Sequence, residues 1–156
     1  MVSIFIVGSD RPTPVETRHL ESQLTHLWYF QRLRSWNGVH VLLSDHYGAD
    51  VYAANQCAAH DTRLPFTVYG VTARAFNGTG RGSYQRVAVN EMTSAERRRA
   101  RDLYAVSVCD KVVAIGESER CCWLRQLATE YGKLPAVYDA GQVLSAWELR
   151  GLIFKG

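Results

Sequence analysis

Short apolar runs alternate with longer segments of helical spacing along this chain, and that alternation constrains the fold more than any other feature. The first run, residues 3–7, is rich in β-branched residues and ends in Gly8, Ser9 and Asp10, which is typical of a strand buried on both faces of a sheet. Further strands are predicted at residues 39–43, 66–69, 111–115 and 135–138. Helices are predicted at residues 15–36, 50–60, 94–109 and 119–131, with a short one at 145–150. The alternation predicts an α/β fold, with a doubly wound, mainly parallel sheet of five to six strands and helices on both faces.

The composition fits a single globular domain over residues 1–156. Apolar residues make up 47% of the chain and charged residues 21%, which excludes a disordered protein. The four cysteines have neither metal nor disulfide-framework spacing, so free thiols are expected, and no metal or cofactor is predicted. No apolar run approaches the ~20 residues that span a bilayer, and the amino terminus lacks the features of a signal peptide. We therefore expect a cytoplasmic protein with no membrane partner.

Small and polar residues follow three of the predicted strands. In an open parallel sheet, ligands bind beyond the carboxyl ends of the strands, where glycine lets the backbone approach a phosphate and the next helix offers N–H groups. Tight turns also need glycine for steric reasons alone, so each turn has a structural interpretation too. Together the turns predict ligand-binding residues at Gly8, Ser9, Asp10, Arg11, Ser44, Gly48, Ala49, Asp50, Gly116 and Ser118. The substitution Gly48→Val is expected to abolish binding and leave the domain folded.

A run of arginines lies in the helix that is predicted to begin near residue 94. At about 100° per residue, Arg97 and Arg101 share one helix face, and Arg98 shares another with Asp102. An Arg98–Asp102 ion pair on a solvated basic face is the plain interpretation. Arg97 and Arg101 repel each other unless an anion lies between them, so Arg97 joins the predicted ligand-binding residues. The net charge of +3 is not spread as a stripe, so we do not expect nucleic acid as a partner.

The glycine-rich run at residues 78–82 does not match a known phosphate-binding loop. It lacks the Lys-Ser/Thr ending of a P-loop and does not follow a strand as the dinucleotide motif does. Its composition favours either a lid over a site or a plain surface loop. The sequence leaves both interpretations open.

Three motifs together resemble the SLOG superfamily of Rossmann-like nucleotide-binding proteins, which includes the LOG-type phosphoribohydrolases and the core of DNA-processing protein A. The motifs are Gly8-Ser9, the turn at residues 44–50 that ends in Gly-Ala-Asp, and Arg101-Asp102 followed by the strand at 111–115 and Gly116. They span residues 3–138 in the order of the family. The resemblance implies a Rossmann-like doubly wound sheet whose second and last turns bind the phosphate and ribose of a nucleotide or a nucleotide-derived molecule.

The chain departs from the family at the catalytic motif. LOG-type enzymes carry P-G-G-x-G-T-x-x-E, and residues 115–122 lack its second Gly-Thr pair and a Glu at that spacing. We therefore expect ligand binding or sensing ahead of catalysis. The alternative is an N-glycosidase or phosphoribohydrolase acting on a nucleoside monophosphate, with Glu117 and Arg101 as catalytic residues. A fainter similarity to nucleoside deoxyribosyltransferases implies a carboxylate nucleophile, for which Glu117 or Asp50 is the candidate.

The first long helix predicts how the chain assembles. Trp28, Tyr29, Phe30 and Trp36 lie on or near it, and aromatic residues on more than one helix face indicate burial on more than one side. The resemblance also implies a dimer, because small SLOG-like proteins commonly dimerise. The plain alternative is one aromatic half-exposed against Trp147. We expect a homodimer that binds a nucleotide-derived small molecule.

Overall fold

The computed structural model describes residues 2–31, 38–59, 65–75, 83–87 and 93–133. Within these ranges the chain forms five strands and four helices. The strands are β1 (Val2–Gly8), β2 (Val39–Ser44), β3 (Phe66–Gly70), β4 (Ser83–Arg86) and β5 (Lys111–Ile115). The helices are α1 (Pro14–Gln31), α2 (Ala49–Ala59), α3 (Ser94–Val108) and α4 (Glu119–Glu130).

The five strands form one sheet in the order β4-β3-β2-β1-β5, and every neighbouring pair is parallel. The chain first adds strands on one side of β1 and then crosses to the other side, where it adds β5. The strand order therefore reverses between β1 and β5. Because all five strands run the same way, their carboxyl ends lie at one edge of the sheet, where ligands bind in folds of this kind.

Apolar side chains cover both faces of the sheet. Along β1, Ile4 and Ile6 pack in the layer that contains α1 and α2, whereas Phe5 and Val7 pack in the layer that contains α3 and α4. Each of these side chains contributes about 1.5–3 kcal/mol through burial. Burial on both faces explains the continuous apolar runs at residues 4–7 of β1, 41–43 of β2 and 112–115 of β5.

The predicted fold class is confirmed, and β1, β2, β3, β5 and all four helices lie where the sequence predicts them. The strand β4 was not predicted. It lies at the edge of the sheet, where its polar residues are mostly exposed. No apolar pattern therefore marks it in the sequence. It is a strand because its backbone pairs with β3. The predicted strand at 135–138, the short helix at 145–150 and the run at 78–82 lie outside the described residues.

All four cysteines are free thiols, and only Cys122 among them is exposed. Burial raises the pKa of Cys57 to about 12 and that of Cys109 to about 11, so both are protonated and unreactive at neutral pH. Among the described helices, none combines the length and the apolar character needed to cross a bilayer.

Candidate ligand site

The loops after β1 and β2 pack tightly against each other at the carboxyl edge of the sheet. Gly48 has a φ of 72°, and a Cβ there would overlap the carbonyl oxygen of Asp10. A Cβ on Gly8 would overlap that of Ala49, whose N–H donates to the carbonyl oxygen of Ser9 at 3.0 Å. Glycine and alanine are therefore needed here for packing. This geometry contradicts the expectation that Gly48→Val leaves the domain folded.

A buried network of charged side chains lies beneath these loops. Arg120, in the first turn of α4, donates from Nη2 to Asp50 at 3.1 Å and from Nε to Asp102 at 2.7 Å. Asp102 also accepts hydrogen bonds from Arg101 Nε at 3.0 Å and from Ser44 Oγ at 2.7 Å. The network joins β2 to the amino-terminal part of α2, the middle of α3 and the start of α4.

The two buried aspartates differ in their acidity. Burial by itself raises the pKa of Asp102, but the charges and hydrogen bonds of Arg120 and Arg101 outweigh burial and hold this pKa at about 2. At Asp50, burial outweighs the attraction of Arg120, and the pKa lies above its ordinary value. The Asp50 side chain is 0% exposed, so its carboxylate cannot contact a sugar in this conformation.

His46 extends the network toward the surface. Arg101 donates from Nη1 to the carbonyl oxygen of Asp45 at 2.9 Å, and its Nη2 lies 3.1 Å from His46 Nδ1. Because a guanidinium only donates, Nδ1 must accept, so the ring proton lies on Nε2 and is donated to Asp10 at 2.7 Å. Burial, followed by the charge of Arg120, lowers the pKa of His46. The ring is therefore neutral at physiological pH.

A cavity of about 210 Å³ opens beside His46, between the loop after β2, the loop after β3 and the start of α3. We call it the arginine cleft. Arg97 is exposed at the cleft, Arg98 is half-buried, and the ring of Tyr47 is 56% exposed. The charged and aromatic residues of its lining are Asp45, His46, Tyr47, Arg97, Arg98 and Arg101. The sequence-predicted pair Arg97 and Arg101 therefore does meet in one cavity.

A second feature lies where the strand order reverses. We call the gap between the loops after β1 and β5 the β1–β5 crevice. Gly116 has a φ of 125°, and a Cβ there would overlap Ser9 Oγ and lie 2.5 Å from Glu16 Oε2. Ser9 Oγ donates to the same Glu16 oxygen at 2.7 Å. A carboxylate from the first turn of α1 therefore fills this crevice.

The other predicted site residues lie in differing surroundings at the same edge. Arg11 is exposed, and Ser118 caps α4, where its side chain accepts an N–H of the first turn. The Glu117 side chain is 77% exposed and lies 3.4 Å from Arg125 Nη2. Arg101, in contrast, is 1% exposed. Of the two predicted catalytic residues, Glu117 is thus exposed to solvent and Arg101 is buried.

The prediction of an Arg98–Asp102 ion pair is wrong. Asp102 is 2% exposed and bonds to Arg101 and Arg120 instead. A signal was available in the sequence, because Ala105 and Val106 lie one turn beyond residues 101 and 102 and mark that face of α3 as buried. Sequence reasoning also missed Arg120, because no local pattern predicts its contacts with the two buried aspartates.

The described residues contain no group of three or more His, Cys, Asp or Glu side chains placed to hold a metal ion. Arginines outnumber carboxylates in the lining of the arginine cleft. Its chemistry therefore suits an anionic ligand.

No protein-family model matches the sequence, and no curated protein matches it either. Solved structures do share its fold. The strand order, the parallel pairing and the loops at the carboxyl edge give this chain a Rossmann-like fold, which confirms the fold that its motifs imply.

Two of these structures are of DNA processing protein A. The protein from Helicobacter pylori has a TM-score of 0.64 and 17% identity, over 85% of this chain and 63% of that one. The protein from Streptococcus pneumoniae has a TM-score of 0.66 and 14% identity, over 100% of this chain and 57% of that one. The chain thus spans less than two thirds of either protein.

One expectation about partners needs correction. From the charge distribution we do not expect nucleic acid as a partner, but the Helicobacter pylori protein, which shares this fold, binds single-stranded DNA. A protein of this fold therefore accommodates nucleic acid. The absence of a basic stripe in the sequence does not exclude such a partner.

Proposed function

We propose that the protein binds a nucleotide-derived ligand at the carboxyl edge of its sheet, in the arginine cleft, and that it acts as a binding or sensing protein. The observation that carries this proposal is the lining of the cleft, which brings Arg97 and Arg98 together with the exposed ring of Tyr47, above the buried Arg101. A guanidinium group donates two parallel hydrogen bonds to the oxygens of one phosphate. An exposed aromatic ring stacks on a base.

The size of the cleft indicates which part of the ligand it holds. Its volume of about 210 Å³ is below the roughly 300–1,000 Å³ of pockets that enclose a whole drug-sized ligand. The cleft therefore encloses a phosphate and the adjoining sugar, and the rest of the ligand lies across the surface near Tyr47.

Thermal denaturation with adenosine monophosphate and with ADP-ribose tests the proposal. A ligand at ~100 times its dissociation constant adds about 2.7 kcal/mol of stability, so the melting temperature should rise. The double substitution Arg97→Ala/Arg98→Ala should remove the rise. Arg99→Ala is the matched control, because Arg99 lies over the Trp123 ring at 5.2 Å and does not line the cleft. No rise with either ligand would contradict the proposal.

Single-stranded DNA is a second candidate ligand for the same cleft. The fold that the chain shares with a protein that binds single-stranded DNA supports it, as do the arginines, because phosphate contacts supply most of such affinity. Fluorescence polarisation with a labelled oligothymidylate, read at several salt concentrations, distinguishes the candidates. Binding that weakens steeply with salt and depends on Arg97 and Arg98, without any response to mononucleotides, would favour DNA.

Hydrolysis of an N-glycosidic bond remains the enzymatic alternative, with Glu117 and Arg101 as its residues. The contacts of Arg101 argue against its catalytic role, since its three guanidinium nitrogens already have partners in Asp102, Asp45 and His46. We expect little free base to be released from nucleoside monophosphates. Robust release by the wild type that is lost in Glu117→Gln would favour the enzyme.

Three further expectations stay predictions: a cytoplasmic location, a single domain over residues 1–156 and a homodimer. The side chains of Tyr29 and Phe30 and the whole of Trp36 lie outside the described residues. Light scattering at ~50 μM, well above the dissociation constant of a stable homodimer, tests the dimer. A dimeric wild type and a monomeric Tyr29→Glu/Phe30→Glu variant are expected.

A further inference from the structure

The β1–β5 crevice is the place where a ligand is first expected in this fold. Ligands of open parallel sheets bind outside the carboxyl ends of the strands, at the point where the strand order reverses. Here that point lies between β1 and β5, next to the amino terminus of α1, whose dipole favours an anion. The chain already places an anion there, the carboxylate of Glu16.

The contacts of Glu16 hold its carboxylate in the crevice. Oε2 accepts from Ser9 Oγ at 2.7 Å, and Oε1 accepts from the Thr13 N–H at 3.3 Å. The Glu16 N–H in turn donates to Thr13 Oγ1 at 3.1 Å, which completes a capping box. Each carboxylate oxygen is thus engaged, and one of them lies against Gly116.

We infer that Glu16 excludes phosphate from the β1–β5 crevice and so determines that the phosphate of the ligand binds in the arginine cleft. The inference rests on the proposed function for the identity of the ligand. A phosphate in the crevice would meet a negative charge at contact distance. It would also find the Ser9 hydroxyl and the Thr13 N–H already used as donors.

The two places differ in charge, and this difference explains the selection. Guanidinium groups dominate the arginine cleft, with Asp45 as the carboxylate of its lining. At the crevice, the carboxylate of Glu16 contacts Ser9 and Thr13. The nearby cation Arg125 donates from Nη1 to the carbonyl oxygen of Gly116 at 2.8 Å, and its charge is already paired with that of Glu117. An anion therefore gains attraction in the cleft and repulsion in the crevice.

Backbone amide NMR with inorganic phosphate and then adenosine monophosphate tests the inference. In the wild type, amides of Arg97 and Arg98 should shift, and those of Ser9 and Gly116 should not. In Glu16→Ala, the amides of Ser9 and Gly116 should also respond to phosphate, with binding in the crevice at least about tenfold tighter than in the wild type.

Two control variants make the test specific. Glu96→Ala removes the equivalent carboxylate from the capping box of α3, where Glu96 contacts Thr93, and should leave the crevice unresponsive. Glu16→Gln removes the charge at nearly constant shape, so it carries the test if Glu16→Ala does not fold; a weaker response at Ser9 and Gly116 is expected.

The outcomes separate the inference from the proposed function. Phosphate-induced shifts of Ser9 and Gly116 in the wild type, or an unresponsive crevice in both folded Glu16 variants, would overturn the exclusion by Glu16. Unshifted Arg97 and Arg98 amides with either probe would instead overturn the arginine cleft as the anion site. A response in the crevice of Glu16→Ala would still support the exclusion in that case.

Discussion

Gly48 and Gly132 have similar positive φ angles, 72° and 66°, but different surroundings. A Cβ at Gly48 would overlap the carbonyl oxygen of Asp10, whereas a Cβ at Gly132 would meet nothing within 4 Å. We expect Gly132→Ala to cost about 1 kcal/mol through backbone strain alone. Gly48→Ala should cost at least about 2 kcal/mol more, because the overlapping atom is backbone. Urea denaturation of both variants measures the difference, and equal costs would show that the loop after β1 moves freely aside.

Arg120 is the residue on which the buried network depends most. The substitution Arg120→Met leaves the carboxylates of Asp50 and Asp102 buried without their shared partner, which should destabilise the fold by about 3–5 kcal/mol. Glu117→Gln is the control, because it breaks an ion pair with Arg125 whose acidic side chain is 77% exposed and should change stability by less than about 1 kcal/mol. Denaturant titrations of both variants compare the two. If Arg120→Met lowered the free energy of unfolding as little as Glu117→Gln does, this account of the network would be wrong.

The start of α4 shows how one residue determines where a helix begins. Ser118 was predicted to bind a ligand, but its side chain accepts the N–H of Cys121 at 3.2 Å as the cap of α4. Ser118→Ala should therefore destabilise the protein by about 1 kcal/mol even without ligand, whereas Ser118→Asp keeps an acceptor and should cost little. Thermal denaturation of the two ligand-free variants checks this, and an unchanged Ser118→Ala would argue against the cap.

The elements differ in how much of them the sequence could predict. β1 and β5 are apolar on both faces, so their composition alone marks them as central strands. β4 is polar and edge-exposed, and only its pairing with β3 makes it a strand. The residues of the candidate site also differ in whether the sequence marks them. Glycines at turns are visible in the sequence, whereas the position of the partly buried Arg120 depends on where α2 and α3 place Asp50 and Asp102.

In the whole molecule, the charged groups at the carboxyl edge link stability to pH. Besides Arg120, whose pKa is raised, three of them have shifted acidities: the pKa of Asp102 is lowered, that of Asp50 is raised, and that of His46 is lowered. The pKa of Asp102 is held at about 2, and that of Asp50 lies above its ordinary value because burial outweighs the attraction of Arg120. His46 alone among these three has an ordinary value of 6.5, so its protonation in the unfolded chain begins nearest to neutral pH.

His46 should therefore make the folded protein less stable in mild acid. The unfolded chain binds a proton at this residue as the pH falls through about 6.5, whereas the folded protein does not until its lowered pKa is reached. Between those values the unfolded state binds more protons, so the stability that is present above pH 6.5 decreases as the pH falls toward the folded pKa.

A His46→Gln variant keeps polar atoms beside Arg101 and Asp10 but does not titrate there. The difference in unfolding free energy between wild type and variant, measured from pH 7.5 to 5, should shift against the wild type as the pH falls. A pH-independent difference would mean that the ring proton on Nε2 and the contact with Arg101 do not keep His46 neutral.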